Sequence, residues 1–359
     1  MSRPAGELLT DSRVEGEWPL LEEAGRAFRE ASLDEEVIAA SFLLGSEVLR
    51  IEAIGEDMFL AATRALSHLR HTAERKSSLT IRVREQKPGF RRLVSPDVLA
   101  FREMADLRQR SETEGRFTMA IQETGTLYVA DLGQGMAYCE VERLASWPAW
   151  ELASPFRALL SAWLSRSGAV LVHAACVGLG DQALLLAGPS GSGKSTTAMI
   201  CALHGWVHYA DDYTLVQMDD GITAAPLYNT AKLNPDSVTL LPTLTHEAMV
   251  EKDPTGKTIY TLGGTEEIAT GAMRPRLAGI VFPSATGAGE RAEPVLSPMA
   301  GGDALRLLAP SSLLQLSTGG AQTFARLAMV VRRLPSWRLE LAAHPGAVAA
   351  LLKNHLCGP

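Results

Sequence analysis

Apolar and polar residues alternate along much of the first 150 residues, and solid apolar runs fill much of the rest. Leu79, Ile81 and Val83 stand two apart, the spacing of a half-buried strand. The stretch 39–54 reads as strands around a turn at Gly45. Over 116–144, three short strand patterns are joined by turns at Thr124-Gly125 and Gly133-Gln134-Gly135. Between them, 55–70 carries Phe59, Ala62, Leu66 and Leu69 at helical spacing. Residues 1–35 show little beyond a helix-like piece at 20–28. The first half is therefore expected to be an α+β domain over 1–150, a scaffold or recognition unit with no catalytic constellation of its own.

The segment LASPFRALLSAWLSRSG reads as a helix. Ser154 is expected to cap it, Pro155 to occupy its first position and Gly168 to end it. A domain boundary falls near this helix, leaving 151–359 as the second domain. Next, AVLVHAACVGLGDQALLLAG gives two strands around a turn at 178–181. YTLVQM and LAGIVFP read as further strands, the region after 312 as helices, and SWRLELAAHPGAVAALLKNHL as a strand and a closing helix. Alternating strands and helices predict an α/β second domain.

Composition narrows the class. The chain has 359 residues, 46% hydrophobic and 21% charged, as in water-soluble globular proteins. A net charge of −7 argues against nucleic acid as the main partner. No apolar run reaches the ~18 residues of a membrane span. The polar, acidic N-terminus does not read as a signal peptide, so a cytoplasmic protein is expected. Cys139, Cys176, Cys201 and Cys357 have no zinc-type spacing and read as small buried hydrophobes.

One stretch carries chemistry. Gly188-Pro189-Ser190-Gly191-Ser192-Gly193-Lys194-Ser195 fits G-x-x-x-x-G-K-[ST], with an apolar strand before it and a helix opening at Thr196. The glycines let successive N–H groups turn inward as an anion nest, and the helix adds its positive end. Lys194 would reach the terminal phosphates of ATP and Ser195 would ligate Mg. Asp211 and Asp212 follow Lys194 at a distance that a helix, a turn and a short strand would fill, which returns them beside the loop. In phosphoryl transfer one carboxylate can take the proton of the attacking hydroxyl while another holds the metal. His173 precedes the loop on the neighbouring strand.

From His173 to Asp212 the chain resembles the catalytic domain of the HPr kinase/phosphorylase family. That family places a histidine before the loop and an aspartate pair after a short helix. Within it, the chain is most similar to the HPr-kinase-like proteins of ribosomal and lasso-peptide biosynthesis, which phosphorylate a serine of a precursor peptide. The later segment PLYNTAKL is also similar to theirs. The resemblance implies a P-loop kinase domain, ATP and Mg as cofactors and a peptide or protein acceptor. It also raises a homo-oligomer, since HPr kinases form hexamers. By the same resemblance, Asp211 is the base, and Asp212 and Ser195 are metal-side groups. The family's Glu-Ile-Arg-Gly-Leu-Gly segment is missing here, and Lys232 falls near the expected place of its arginine. Its absence argues against a reverse, dephosphorylating activity and against HPr as the acceptor. Lys252 and Lys257 stand in a loop where they could touch phosphate or simply be solvated.

Two other readings remain at this level. One is a small-molecule kinase of shikimate-kinase type, which also places an acid after the loop but usually begins with the loop. The other is a nucleotide-binding regulator with no acceptor.

Overall fold

Pro19 opens the first helix, where its missing N–H costs nothing. The computed structural model describes residues 18–72, 75–93, 115–121, 125–234, 246–250, 256–262, 273–289, 291–316 and 320–358. Its first elements are α1 (Pro19–Ala31), β1 (Val37–Leu44), β2 (Glu47–Ile54), α2 (Glu56–Thr63), β3 (Arg70–His71), β4 (Leu79–Glu85), β5 (Arg116–Ile121), β6 (Thr126–Asp131) and β7 (Met136–Val141). They build a seven-stranded sheet in the order β3-β1-β2-β4-β7-β6-β5. The expected meander holds for β5–β7, but the centre is parallel, with β4 between β2 and β7. The helix read over 55–70 is α-helical only to Thr63 and tightens to a 3-10 helix over Arg64–Leu69.

A connector follows, α3 (Ala149–Ala153) and α4 (Arg157–Arg166). Here the expected cap is wrong. Ser154 ends α3, its hydroxyl donating to Trp150 O, and α4 begins only after Phe156. Phe156 is fully buried with φ of 58°, the only non-glycine residue with positive φ among those described. A left-handed residue costs on the order of 1–2 kcal/mol, which burial of the phenyl ring offsets. Pro155 stops α3 from continuing, and Phe156 redirects the chain.

The remaining elements are β8 (Val170–Val172), β9 (Ala175–Leu179), β10 (Gln182–Leu186), α5 (Lys194–Leu203), β11 (Val207–Ala210), β12 (Thr214–Gln217), β13 (Thr223–Ala225), β14 (Thr230–Leu233), β15 (His246–Val250), β16 (Thr258–Leu262), β17 (Arg276–Ser284), β18 (Val295–Pro298), α6 (Gly301–Leu316), α7 (Gly320–Arg333), β19 (Ser336–Glu340) and α8 (Pro345–Cys357). The larger sheet runs β11-β9-β10-β17-β13-β12-β8, with β19 beside β17 and β18 beyond it. β10, β17 and β19 are parallel, so their carboxyl ends gather at one edge. The chain is thus a mixed α/β protein with parallel and antiparallel pairing. Lys252 lies outside the described residues. Among those described, no helix is long and apolar enough to cross a membrane.

One finding departs from the two strands read over 169–187. The first is broken. β8 and β9 are halves of one strand interrupted at His173-Ala174, and β11 and β12 are halves of another interrupted at 211–213. The pairs Val172–Thr214 and Cys176–Ala210 share one antiparallel register across the gap, and the ladder then shifts register between Ala210 and His208. Backbone groups freed at the gap find local partners: Ala174 N–H donates to Val172 O, and Thr214 Oγ1 to Ala174 O.

Three buried clusters flank this sheet. Alternate residues of β10 point opposite ways, Ala183 and Leu185 toward α6 and α7, Leu184 and Leu186 toward α5 and α8. The third joins Leu49 and Ile81 of the first sheet to Leu160, Leu171, Leu215 and Tyr228. Packing is therefore continuous from one sheet to the other through the connector. At the β17–β19 contact, a Cβ on Gly279 would stand 2.1 Å from the Trp337 ring. Gly279→Ala is expected to lower stability by about 1–3 kcal/mol through overpacking. Urea denaturation checks this, with Gly302→Ala, which meets nothing within 4 Å, causing no loss.

Candidate active site

The loop 188–193 leaves β10 at the edge where the parallel strands end. Gly188, Gly191 and Gly193 all have positive φ, 135°, 80° and 103°. Residues with a Cβ would be strained in these conformations, which is why the turn is built of glycine. Gly193 is also pressed onto its surroundings, since an added Cβ would lie 2.7 Å from Leu341. Ser190 and Gly191 stand exposed at the tip, and Ser195 and Thr196 form the first turn of α5. The Lys194 ammonium is largely buried and donates to Gly188 O at 2.9 Å and Pro189 O at 3.1 Å. Burial lowers its pKa, Asp212 and Asp211 oppose that, and Lys257 adds to it, so Lys257 also faces this site.

The break in the ladder places the other groups. Asp211 and Asp212 stand just past the last residue of β11, where the strand rule that sends neighbours to opposite faces no longer applies. Both reach the loop. Asp211 is buried, and its Oδ2 accepts the main-chain N–H of Lys232 at 2.9 Å. Ser195 also hydrogen-bonds to the Asp211 side chain. Among the described residues, Asp211 Oδ1 has no hydrogen-bond partner, and neither do the buried hydroxyls of Ser192 and Thr197. Asp212 Oδ2 lies 2.7 Å from Lys232 Nζ, and Asp212 Oδ1 lies 3.9 Å from His173 Nε2. His173 is pinned at the bend by its N–H, which donates to the buried Ser312 hydroxyl at 3.0 Å.

Electrostatics separate the two acids. Burial and the neighbouring Asp212 charge push the Asp211 carboxyl up to about 7. Burial also works against ionisation of Asp212, but Lys232 and His173 outweigh it and hold Asp212 low, at about 2. His173 is pushed down to about 4 by burial, against the pull of Asp212. At neutral pH it is an uncharged ring. The site thus holds one permanent carboxylate and, beside it, one carboxyl poised to lose or take a proton near neutrality.

Three groups escaped the sequence reading. Arg157 Nη1 donates to the Tyr213 hydroxyl at 3.0 Å, and its guanidinium lies over the Trp150 and Tyr213 rings at 5.5 and 5.2 Å. Tyr213 in turn packs on His173, with ring centroids 5.5 Å apart. Glu151 is buried, its Oε2 has no partner among the described residues, and burial lifts its pKa to about 7 against the pull of Arg157 and Lys232. Glu151 and Arg157 come from the connector. In sequence they look like ordinary surface charges on a helix edge; the only cue is their position among Trp150, Leu152 and Phe156.

The donor set fits a nucleoside triphosphate with a hard divalent cation. Ser195 and the aspartates offer oxygen ligands, and the loop amides and Lys194 offer positive charge. Among the described residues, no group of three or more His, Cys, Asp or Glu side chains forms a metal cage by itself. A cation here would be shared with phosphate, as is usual for Mg²⁺.

No protein-family model matches the chain, and no curated protein matches it. A solved structure similar to it is the Hpr(Ser) kinase/phosphatase from Coxiella burnetii, at 11% identity, covering 52% of this chain and 96% of that chain with a TM-score of 0.29. That likeness is a distant outline and assigns no residue.

Asp211 gives a test of the site's electrostatics that needs no ligand. Its pKa is raised in the folded state, so the fold favours the protonated form. That advantage is present at low pH and is lost as pH rises through about 7. Asp211→Asn is expected to raise the melting temperature at pH 8 by roughly 2–5 °C and to change it much less at pH 5. Thermal scans at the two pH values decide it; equal shifts at both would show an Asp211 with no raised pKa.

Proposed function

We propose that the protein is a Mg-dependent phosphotransferase that moves the terminal phosphoryl group of ATP onto a hydroxyl, with a serine of a peptide or protein as the acceptor. The observation that carries this reading is the buried Asp211 Oδ1, without a hydrogen-bond partner among the described residues, on the same rim as Ser195 and Lys194. A carboxyl there suits a base for a hydroxyl brought up to the loop.

In this mechanism the loop amides and Lys194 bind the phosphate chain and draw off negative charge. Ser195 and Asp212 would hold the metal, which would supply charge neutralisation at the transferring group. Asp211 orients the acceptor hydroxyl and accepts its proton as the oxygen attacks phosphorus. Lys232 keeps Asp212 ionised and, through its main-chain N–H, fixes the Asp211 carboxyl in place. His173 stays neutral and lines the acceptor side without adding a cation. Tyr213 and Arg157 brace it. The first half of the chain, 1–150, is proposed to present the acceptor, and 151–359 to carry the chemistry. The serine-peptide acceptor rests on the motif resemblance between His173 and Asp212.

The test is incubation of the purified chain with ATP, Mg²⁺ and serine-bearing peptides, reading mass gain of one phosphoryl group. Asp211→Asn is expected to cut transfer by about 10²–10⁴-fold with nucleotide affinity kept within a few-fold. Lys194→Ala is expected to weaken nucleotide binding itself by about tenfold or more. Wild-type transfer in Asp211→Asn, or nucleotide hydrolysis with no transfer to any peptide, would overturn the assignment.

A further inference from the structure

The loop has two flanks, and only one is used by the residues above. On the side of the broken ladder stand Asp211, Asp212 and Lys232. On the other side opens a cavity of about 550 Å³. Residues 188–192 form one wall, Phe282, Ser284 and Thr286 at the end of β17 form another, and Met299 and Leu307 close it. Arg338 of β19 also lines it, in register with Phe282. No hydrogen bond or ion pair engages the Arg338 side chain among the described residues. The Ser192 hydroxyl, buried and without a partner among the described residues, belongs to the same wall.

This placement follows from topology. β10, β17 and β19 are parallel neighbours, and the space beyond their carboxyl ends is where open α/β sheets take ligands. The volume falls within the roughly 300–1,000 Å³ typical of small-molecule pockets. If the terminal phosphoryl group faces Asp211, the rest of the molecule leaves the loop on the opposite flank, into this cavity. Phe282, Met299 and Leu307 suit the faces of a planar ring, and the hydroxyls of Ser284 and Thr286 suit a sugar.

The lining also selects. Among the described residues, it holds no Asp, Glu, Asn or Gln side chain. The one charged group among its described lining residues, Arg338, donates and cannot accept. The N7/O6 edge of guanine offers two acceptors to a guanidinium, whereas adenine sets an amino donor beside N7. We propose that this cavity holds the nucleoside half of a nucleoside triphosphate, and that Arg338 makes guanine at least as well held as adenine, so that GTP serves alongside ATP. The inference rests on the reading of the loop as a triphosphate site.

Equilibrium binding of ATP, GTP and inorganic tripolyphosphate, each with Mg²⁺, to the full chain tests it. GTP is expected to bind as tightly as ATP or tighter, and both about tenfold or more tighter than tripolyphosphate. Arg338→Ala is expected to weaken GTP by about tenfold and tripolyphosphate by less than about threefold. Arg338→Gln, whose amide matches the adenine edge, is expected to shift the preference toward ATP. ATP tighter than GTP by about tenfold, or Arg338→Ala weakening all three ligands equally, overturns the proposal. Tripolyphosphate binding as tightly as both nucleotides also overturns it, while leaving the loop's role intact. Failure of all three to bind removes the triphosphate reading together with it.

Discussion

Two adjacent carboxyls in a buried pocket repel each other, and the site depends on how Lys232 resolves that. Its ammonium pairs with Asp212 at 2.7 Å, while its main-chain N–H binds Asp211 at 2.9 Å. A full cation on one acid and only a peptide dipole on the other make them unequal. Asp212 is held ionised and Asp211 is left close to neutrality. Equal treatment would have given two interchangeable carboxyls, neither suited to a distinct role. The pairing is partly exposed, so its value lies in this asymmetry more than in stability.

Lys232 can do this only because the chain holds β14 against the connector. The Tyr228 hydroxyl donates to Pro155 O, the Thr230 hydroxyl to Ala153 O, and the Asn229 N–H to Ala65 O. Ala153 and Pro155 lie at the C-terminal end of α3, where helical partners run out, and Ala65 lies in the 3-10 helix that follows α2. The same stitching brings Glu151 and Arg157 to the back of the site. The interrupted ladder completes the arrangement. Residues 173–174 and 211–213 are released from strand pairing, with paired strands on either side and a register shift between His208 and Ala210, so side chains turn toward the loop from a paired frame. A loop of the same length with no ladder beyond it would not hold Asp212 within reach of both Lys232 and His173.

Much of this was legible in the sequence because it follows short-range rules. The glycine spacing of 188–193 demands one turn, and the count of residues from Lys194 to Asp211 fits one helix, one turn and one strand. Alternation at Leu79, Ile81 and Val83 marked β4 correctly. What was not legible depends on contacts distant in sequence. The break at His173 lies inside an apolar run, where periodicity has no cue for a bend. Ser154 looked like a cap because Ser-Pro before an apolar run usually is one; the left-handed Phe156, stabilised by a core drawn from both sheets, moved the helix start. Arg84 sits on an alternating strand like its neighbour Arg82, yet it is buried and paired with Glu140 at 2.7 Å. Spacing does not separate a buried ion pair from a solvated one.

The charge balance of the site ties these pieces together. The chain as a whole is acidic, at −7. Around the loop, Lys194, Lys232 and Arg157 are cationic, Asp212 is anionic, and Asp211 and Glu151 are each pushed up to about 7. His173 stays neutral, so it adds nothing to the total. At neutral pH this leaves a local positive surplus in a globally negative protein. Such a surplus favours a polyanion over the mono-anionic side chains of a solvated surface. It also sets a limit. A bound polyanion raises the Asp211 pKa further, away from the ionised form a base needs, and a divalent cation on Ser195 and Asp212 would bring it back. Under the proposed mechanism, a divalent cation there would therefore keep Asp211 ionised as much as it would hold phosphate.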